Sequence, residues 1–230
     1  MKLLRYGPAG AERPGPLDGD GRIRSLEGVV DDWSGAALSR SQLARVAELD
    51  HASLPEVDDD VRIGPCVAGV GKFMCIGLNY ADHAAESGSA IPAEPLLFMK
   101  ATSCIAGPHD DVIIPRNSTK TDWEVELGVI IGETAKYVDE ASALEHVAGY
   151  CLVNDISERD LQKERCGQWV KGKSCDTFGP IGPYLVTPDE VPDPQDVRLW
   201  LDVDGHRHQD GSTRTMIFVV AMLISYLSQF

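Results

Sequence analysis

Two glutamates placed two residues apart inside an apolar, strand-like run constrain this chain more than any other feature. The run covers residues 122–132 and reads Asp-Trp-Glu-Val-Glu-Leu-Gly-Val-Ile-Ile-Gly. Since side chains i and i+2 of a β-strand point to the same face, Glu124 and Glu126 project together, and the apolar residues that alternate from Val125 face the other way. Two carboxylates buried side by side repel each other and lose hydration, so either one is protonated or a cation binds between them.

A third carboxylate follows a second apolar run. Asp155 ends the sequence Gly-Tyr-Cys-Leu-Val-Asn-Asp at residues 149–155 and is placed to supply another oxygen ligand. Three hard carboxylates without a nearby thiolate or imidazole favour Mg²⁺, with Mn²⁺ or Ca²⁺ as substitutes. We therefore predict a metal site formed by Glu124, Glu126 and Asp155.

Composition excludes several classes of function. The 230 residues carry a formal net charge of -15, which argues against a nucleic-acid partner because no basic face is available to neutralise phosphates. The longest apolar run, residues 216–224, is far shorter than the roughly 20 residues that a membrane helix needs. Six scattered cysteines without a C-x-x-C pair are typical of reduced thiols. We predict a soluble, cytoplasmic protein that does not bind membranes.

The positions of Gly and Pro between the predicted strands and helices indicate two domains. Residues 1–68 form a small N-terminal α/β domain with one helix over 41–49, for which Ser39 or Ser41 is the cap. Residues 69–230 form a β-rich catalytic body that ends in an amphipathic helix over 216–230. The fold class is therefore α+β. The predicted strands cover residues 2–6, 22–26, 73–77, 96–100, 112–114, 125–131, 148–154, 184–187 and 198–203, with a hairpin turn at Asp204 and Gly205.

A short helix over residues 79–88 carries a candidate acid–base pair. Asn79 is its predicted cap and Gly88 its predicted end. His83 and Glu86 are three residues apart and share a helical face, so the carboxylate can orient the imidazole and raise its basicity. The alternative is a surface helix with an incidental pair.

Three further motifs each have more than one possible interpretation. Residues 157–160 have the spacing of a capping box and predict a helix that places Arg159 and Gln162 on one face, for anion binding or for a structural salt bridge. Residues 167–174 match the P-loop pattern G-x-x-x-x-G-K-[ST], but no buried strand precedes them and no helix can follow, so Lys173 is not a nucleotide phosphate clamp. His206 and His208 alternate after a strand and either chelate a metal or lie in a solvated hairpin.

These motifs together resemble the fumarylacetoacetate hydrolase family. The resemblance covers about residues 70–230, in order and at the expected spacings. It is carried by Ile-Gly-Leu-Asn-Tyr-Ala-Asp-His-Ala-Ala-Glu at 76–86, Pro-Leu-Leu-Phe-Met-Lys at 95–100, Asp-Trp-Glu-Val-Glu-Leu-Gly at 122–128, Asn-Asp-Ile-Ser-Glu-Arg at 154–159, Gln162, Gly-Lys-Ser-Cys-Asp-Thr-Phe-Gly-Pro at 172–180 and Gln-Asp-Gly-Ser-Thr at 209–213.

The resemblance implies a rolled, mixed β-sheet body, a small N-terminal domain and a homodimer. It also implies roles for single residues, with Mg²⁺ bound by the three carboxylates predicted above. His83 and Glu86 correspond to the water-activating dyad of small family members. Lys173, Arg159 and Gln162 match positions that contact the substrate or its developing charge. The family continues past the last helix with a strand and a Pro-Gly-Asp … Thr-Gly-Thr-Pro segment that lines the pocket, so we expect these 230 residues to lack part of that lining.

We therefore expect a Mg²⁺-dependent hydrolase that cleaves a C–C bond of a 2,4-dioxo acid, an acylpyruvate or a 2,4-diketo-3-deoxy sugar acid, and releases pyruvate. His83, oriented by Glu86, would deprotonate the water that attacks C4, and Lys173 would stabilise the pyruvate enolate. Oxaloacetate decarboxylation or a ureidoglycolate lyase-type reaction at the same site is one alternative. A non-catalytic protein that binds a metal or a 2-oxo acid is an alternative of another class.

Overall fold

The helices and strands of the computed structural model follow a β-rich order with short helices. It describes residues 1–86 and 88–230 in full and residue 87 by its backbone. The strands are β1 Lys2–Tyr6, β2 Arg13–Pro16, β3 Phe73–Gly77, β4 Leu96–Lys100, β5 Ile105–Ala106, β6 Thr121–Asp122, β7 Val125–Ile131, β8 Val147–Asn154, β9 Ser157–Glu158, β10 Gly179–Val186, β11 Arg198–Val203 and β12 His206–Ser212. The α-helices are α1 Arg40–Ala47, α2 Ala81–Ser87, α3 Val170–Lys173 and α4 Val220–Leu227, and a π-helix covers Asp160–Glu164.

The main sheet runs in the order β2-β1-β10-β8-β7, with β5 added beside β10. The β5–β10 pair is parallel and the other pairs are antiparallel, so the sheet is mixed. This confirms the predicted α+β class. Strands β1 and β2 come from the predicted N-terminal domain, so residues 1–68 and 69–230 share this sheet. The boundary at residue 68 stays a prediction.

Two apolar clusters cover the two faces of the sheet. On one face Ile130, Cys151 and Val153 pack into a cluster around the fully buried Trp33. On the other face Leu127 and Val129 pack against a cluster that includes α4. The alternation predicted for β7 is therefore confirmed, and Glu126 belongs to the Ile130 side by the same alternation.

Several predicted elements have their predicted bounds. Strands β3, β4, β7 and β11 begin and end at the predicted residues. Helix α1 is capped as expected, because the Ser39 side chain accepts a hydrogen bond from Gln42 N. At the predicted hairpin turn Asp204 and Gly205 have φ of 51° and 78°, which is the left-handed geometry of a type I′ turn. His206 and His208 are exposed in β12, as the solvated-hairpin reading requires.

Two predicted strands are wrong. Residues 22–26 form only isolated bridges, Leu17 with Ile23 and Arg24 with Glu56, because the segment changes partner after each residue. Residues 112–114 are irregular, since Ile113 N donates to the Thr177 hydroxyl at 2.8 Å instead of pairing with a strand. The residues of β2, which we assigned to a Gly/Pro-rich turn, are extended, and their position at the sheet edge tolerates two prolines.

Two predicted helix starts are also wrong. Helix α4 begins at Val220 rather than Met216, because residues 216–218 run extended against Asn79 and Tyr80. Asn79 does not cap α2: its side-chain amide donates to Phe218 O at 3.0 Å and accepts from Phe218 N at 2.9 Å. Gly88 does end α2 in the left-handed conformation, with φ 65°. No helix among the described residues is long and apolar enough to cross a membrane.

Candidate active site

The predicted carboxylates meet at the paired ends of two strands. Val125 in β7 pairs with Asn154 in β8, and Asp155 N donates to Glu124 O at 2.8 Å. This register places Glu124 beside Asp155, and the two-residue period of the strand puts Glu126 on the same face as Glu124. The side chain of Gln209 fixes the start of β7, because its Oε1 accepts from Val125 N at 2.8 Å.

Two buried lysines neutralise part of this charge. Lys173 Nζ lies 2.6 Å from Glu124 Oε2 and 2.6 Å from Asp155 Oδ2. Lys100 Nζ donates to Asp155 Oδ1 at 2.5 Å and to Ile156 O at 3.0 Å. The two lysine side chains are only 0% and 2% exposed, so both ammonium groups depend on these partners.

Arg159 joins the group from the other side. Its guanidinium lies 2.7 Å from Asp122 Oδ2 and 2.7 Å from Glu124 Oε1, and its Nη1 donates to Gln162 Oε1 at 3.0 Å. Arg159 and Gln162 are therefore close to the carboxylates, as predicted. We call the whole set the acidic cluster: Asp122, Glu124, Glu126 and Asp155 with Lys100, Arg159 and Lys173.

The capping box predicted at residues 157–160 is absent. Ser157 and Glu158 form β9, which pairs with β6, and the Ser157 hydroxyl donates to Asp155 O at 3.0 Å. The buried Glu158 carboxylate accepts from Lys120 N at 3.1 Å and from Thr121 Oγ1 at 3.0 Å. These bonds hold the strand that ends immediately before Arg159, and they explain why tertiary contacts override the local helix signal.

Lys173 reaches the cluster because a glycine precedes it. A Cβ at Gly172 would lie 2.4 Å from Glu158 O and 2.6 Å from Gln162 N, so only glycine allows this close approach. The segment that matches the P-loop pattern forms the four-residue helix α3, and the lysine of the pattern faces carboxylates. This arrangement differs from a P-loop, in which the lysine faces phosphates.

The Glu126 carboxyl group lacks a hydrogen-bond or ion-pair partner in the part of the chain that the structure describes. Among the described residues no group donates a hydrogen bond to its side chain, whereas every other carboxylate of the acidic cluster meets a lysine or arginine. Burial, and then the charges of Glu124 and Asp155, raise the pKa of Glu126 to about 8, against the opposing effect of Lys173. The carboxyl group with the least compensated charge therefore lies beside two other carboxylates.

The carboxylate oxygens are the ligand type that a hard divalent cation takes, but in this structure those of Glu124 and Asp155 are engaged in ion pairs. No group of three or more Asp, Glu, His or Cys side chains among the described residues is arranged to hold a metal ion. The Lys173 ammonium lies between Glu124 and Asp155, where it supplies the positive charge that these oxygens require. Three carboxylates on one face, one of them without a partner, match the oxygen ligands that Mg²⁺ and Ca²⁺ prefer.

The predicted dyad lies on the rim of the cleft rather than in the acidic cluster. His83 Nδ1 is 3.9 Å from Glu86 Oε2, and their side chains are 59% and 85% exposed. Both line the same cleft of about 1800 Å³ as Glu124, Glu126 and Asp155. No hydrogen bond or ion pair among the described residues joins either of them to those carboxylates.

Sequence reasoning missed two residues of the site. The motif at residues 95–100 contains Lys100 but gives it no role, although a lysine that ends an apolar strand is a signal for a buried charge with a partner. Tyr80 lines the cleft, and its buried hydroxyl has no hydrogen-bond partner among the described residues. Burial, and then the charges of Glu126 and Asp82, raise the pKa of Tyr80.

The fold and the acidic cluster give a site of buried carboxylates with lysine and arginine partners, and comparison with known proteins defines the family. Residues 72–230 match the model of the fumarylacetoacetate hydrolase C-terminal domain. The chain belongs to the fumarylacetoacetate hydrolase family. The resemblance stated from the motifs is thereby confirmed.

Relatives and solved structures agree with this assignment. A protein of Burkholderia ambifaria named “Putative hydrolase” is 64% identical over 228 residues, which covers 99% of this chain and 81% of that protein. A fumarylacetoacetate hydrolase from Exiguobacterium antarcticum superposes with a TM-score of 0.83 at 35% identity, over 100% of this chain and 81% of its own. A 2-hydroxyhepta-2,4-diene-1,7-dioate isomerase from Mycobacterium marinum gives a TM-score of 0.78 at 28% identity, over 99% and 81%.

Proposed function

We propose that this protein is a Mg²⁺-dependent hydrolase that cleaves the C3–C4 bond of a 2,4-dioxo acid and releases pyruvate. The observation that carries the proposal is the Glu126 carboxylate, which lies beside Glu124 and Asp155 and has no partner among the residues that the structure describes. These three side chains would hold the metal. When bound, Mg²⁺ supplies positive charge and Lewis acidity for the oxygens of the substrate.

The cations of the acidic cluster have the charge that a dioxo acid requires. Arg159, with Gln162 behind it, binds the substrate carboxylate, since a guanidinium matches the geometry of a carboxylate. Lys173 neutralises the negative charge that develops on the enolate oxygen. Lys100 holds Asp155 in place through its 2.5 Å contact.

The dyad supplies the attacking water. His83 takes a proton from water, and the Glu86 carboxylate, 3.9 Å from Nδ1, orients the imidazole by its charge. The hydroxide adds to C4, and the C3–C4 bond breaks with its electron pair left on C3. The enolate of pyruvate then takes the proton from His83 at C3, and C4 leaves as a carboxylic acid.

A second candidate is a proton shift without water addition. The Mycobacterium marinum neighbour is named as an isomerase of a hydroxydienedioate. That name supports the isomerisation of a related substrate beside the cations of the acidic cluster. Such a reaction needs a base but no attacking water. Decarboxylation of oxaloacetate needs neither, and a binding protein would hold a 2-oxo acid without any turnover.

A pyruvate-release screen separates these readings. Short acylpyruvates, diketo sugar acids and oxaloacetate are each supplied with Mg²⁺ and with EDTA, and we expect EDTA to abolish release. Glu124→Ala should lose both bound metal and turnover. His83→Ala should abolish hydrolysis and spare decarboxylation, while the exposed hairpin residue His206 serves as the matched control through His206→Ala. Unchanged metal content and turnover in Glu124→Ala would refute the metal site.

The remaining assignments stay predictions. We expect a homodimer whose only ligands are the metal and a small dioxo acid, in the cytoplasm. Light scattering after gel filtration measures the mass in solution. A monomer at micromolar concentration contradicts the dimer without affecting the proposed reaction.

A further inference from the structure

One face of the β3–β4 pair forms a continuous path from the acidic cluster to the rim of the cleft. Alternate residues of β4 share a face, so Lys100, Phe98 and Leu96 lie in a row. Their exposure rises along this row, from a fully buried Lys100 through a half-buried Phe98 to Leu96, which is 40% exposed. The row changes from charged to apolar between Lys100 and Phe98.

An aromatic pair forms the first part of the apolar stretch. Phe98 and Trp169 meet edge to face, with ring centroids 5.4 Å apart. The Lys173 ammonium lies 5.1 Å from the Phe98 ring centroid. The aromatic pair therefore lies directly beside the cations of the site.

The chain makes room for this pair. A Cβ at Gly77 would lie 2.8 Å from Trp169 Cζ3, so the glycine of β3 lets the indole pack onto the strand. Trp169 O accepts from Lys173 N at 3.1 Å, which places the indole and the catalytic ammonium on one helical turn. We call Leu96, Phe98 and Trp169 the apolar wall.

We propose that the substrate carries an apolar alkyl or aryl group on C4 and that this group packs against the apolar wall. The inference rests on the proposed function and narrows its substrate class to acylpyruvates with apolar acyl groups. The charged end of such a molecule needs Lys173 and Arg159, and the wall starts beside Lys173. A polyhydroxylated C4 group would lose hydration against this wall, because Phe98 and Leu96 offer no hydrogen bond and Trp169 offers only its single indole N–H.

The test is a series of substrates that differ only at C4. Acetylpyruvate, butanoylpyruvate, benzoylpyruvate and a diketo-deoxy sugar acid are compared by kcat/KM in saturating Mg²⁺. We expect kcat/KM to rise by up to about fourfold per added methylene, the factor for full burial of that group. Benzoylpyruvate should be the best of the four and the sugar acid the worst.

Variants assign the preference to the wall. Trp169→Ala should lower kcat/KM for benzoylpyruvate about tenfold or more and change the value for acetylpyruvate less than about threefold. Leu96→Gln tests the rim at an exposed position, where substitutions change stability little, and it should flatten the dependence of kcat/KM on chain length. Its matched control is Leu97→Gln, since Leu97 is 36% exposed on the opposite face of β4.

Each other outcome decides against one of the two proposals. Hydrolysis of acetylpyruvate with a flat chain-length series, a preference for the sugar acid, or equal effects of the two leucine variants overturns the apolar wall and leaves the proposed function standing. If the wild-type protein neither binds nor cleaves any of the four compounds, the proposed function is overturned. The proposal for the apolar wall, which rests on it, is then overturned as well.

Discussion

Two groups of charged side chains in this protein have the same surplus of one carboxylate over their cations, but they distribute it differently. One is the acidic cluster, with four carboxylates and three cations. The other lies in the N-terminal part of the chain and is called here the arginine network. Its members are Arg5, Glu12, Asp32, Arg62 and Asp110.

In the arginine network every carboxylate meets a guanidinium. Arg62 binds Asp110 through two hydrogen bonds of 2.7 and 2.6 Å, and Arg5 binds Asp32 through two of 2.6 and 2.9 Å. Glu12 lies between the two arginines, 2.9 Å from Arg62. The hydrogen bond from Arg62 lowers the pKa of Asp110. Burial by itself would raise the pKa of Glu12, but the hydrogen bond from Arg62 and the charges of both arginines lower it.

In the acidic cluster the whole surplus falls on Glu126. The lysines and the arginine bind its neighbours, and its own pKa rises to about 8. Where every carboxylate is paired, as in the arginine network, the ion pairs hold segments of the chain together. Where the excess negative charge lies on one unpaired carboxylate, a cation can bind there. The distribution of the charges, rather than their sum, separates a structural network from a binding site.

The largest expected effect tests whether Lys173 takes the place of a metal charge. Lys173→Met leaves Glu124 and Asp155 without their shared ammonium, and removing one partner of a buried pair costs about 3 kcal/mol or more. We expect that loss in EDTA and a substantial recovery in millimolar Mg²⁺, both measured as the free energy of unfolding in urea. Lys171→Met, at an exposed position two residues earlier, is the control. Equal losses with and without Mg²⁺ would contradict the cation site.

The arginine network should respond differently. Arg62→Met removes the partner of Asp110 and of Glu12, and we expect a loss of about 2 kcal/mol that Mg²⁺ does not restore. Arg22→Met breaks the exposed pair with Glu56 and should cost less than about 1 kcal/mol. A Mg²⁺-dependent recovery in Arg62→Met would mean that the network also binds the cation and would remove the contrast.

A difference in pH dependence is spread over several pH units, so its effect is the smallest for a single step of the measurement. The raised pKa of Glu126 stabilises the metal-free protein fully below pH 4.5, and this stabilisation is lost as the pH rises to about 8, at no more than about 1.4 kcal/mol per pH unit. The lowered pKa of Asp110 acts in the opposite direction: its stabilisation is present above the ordinary pKa near 3.8 and is lost as the pH falls through the lower folded value.

Two variants measure these opposite slopes. Glu126→Gln should flatten the decline in unfolding free energy between pH 5 and 8 in EDTA, and Asp110→Asn should flatten the decline on the acid side. Urea titrations that extend from well below pH 3.8 up to pH 8 give both slopes. If Glu126→Gln left the slope above pH 5 unchanged, the charge surplus would not reside on Glu126.

The predictable part of the fold followed from local patterns. The alternation in β7 predicted both its bounds and the common face of Glu124 and Glu126, and the Asp-Gly pair predicted the turn between β11 and β12. Patterns failed where a distant partner decided the structure. Asn79 has the sequence of a cap, but it pairs with Phe218, 139 residues away. The helix signal after Asp155 lost to the pairing of β9 with β6.

The candidate site divides in the same way. Motifs identified Glu124, Glu126, Asp155, Arg159 and Lys173 one by one, because each residue type at its spacing has a chemical meaning along the chain. They also placed His83 and Glu86 on one helical face, and in the structure the two side chains are 3.9 Å apart and exposed on the rim, while their role as a dyad stays a prediction. They did not show which carboxylate lacks a partner, since that depends on where the lysines arrive from other elements.

The sequence by itself determined that carboxylates would gather on one face of a strand, because the period of a β-strand is a local property of the backbone. Only the tertiary structure decided that Lys100 and Lys173 bind the neighbours of Glu126 and leave Glu126 alone. It also decided that Phe98 and Trp169 line the way out of the cleft, since Gly77 and Gly172 matter only when another segment packs against them. Pairing between distant groups is a property of the packed chain, and spacing along the sequence does not contain it.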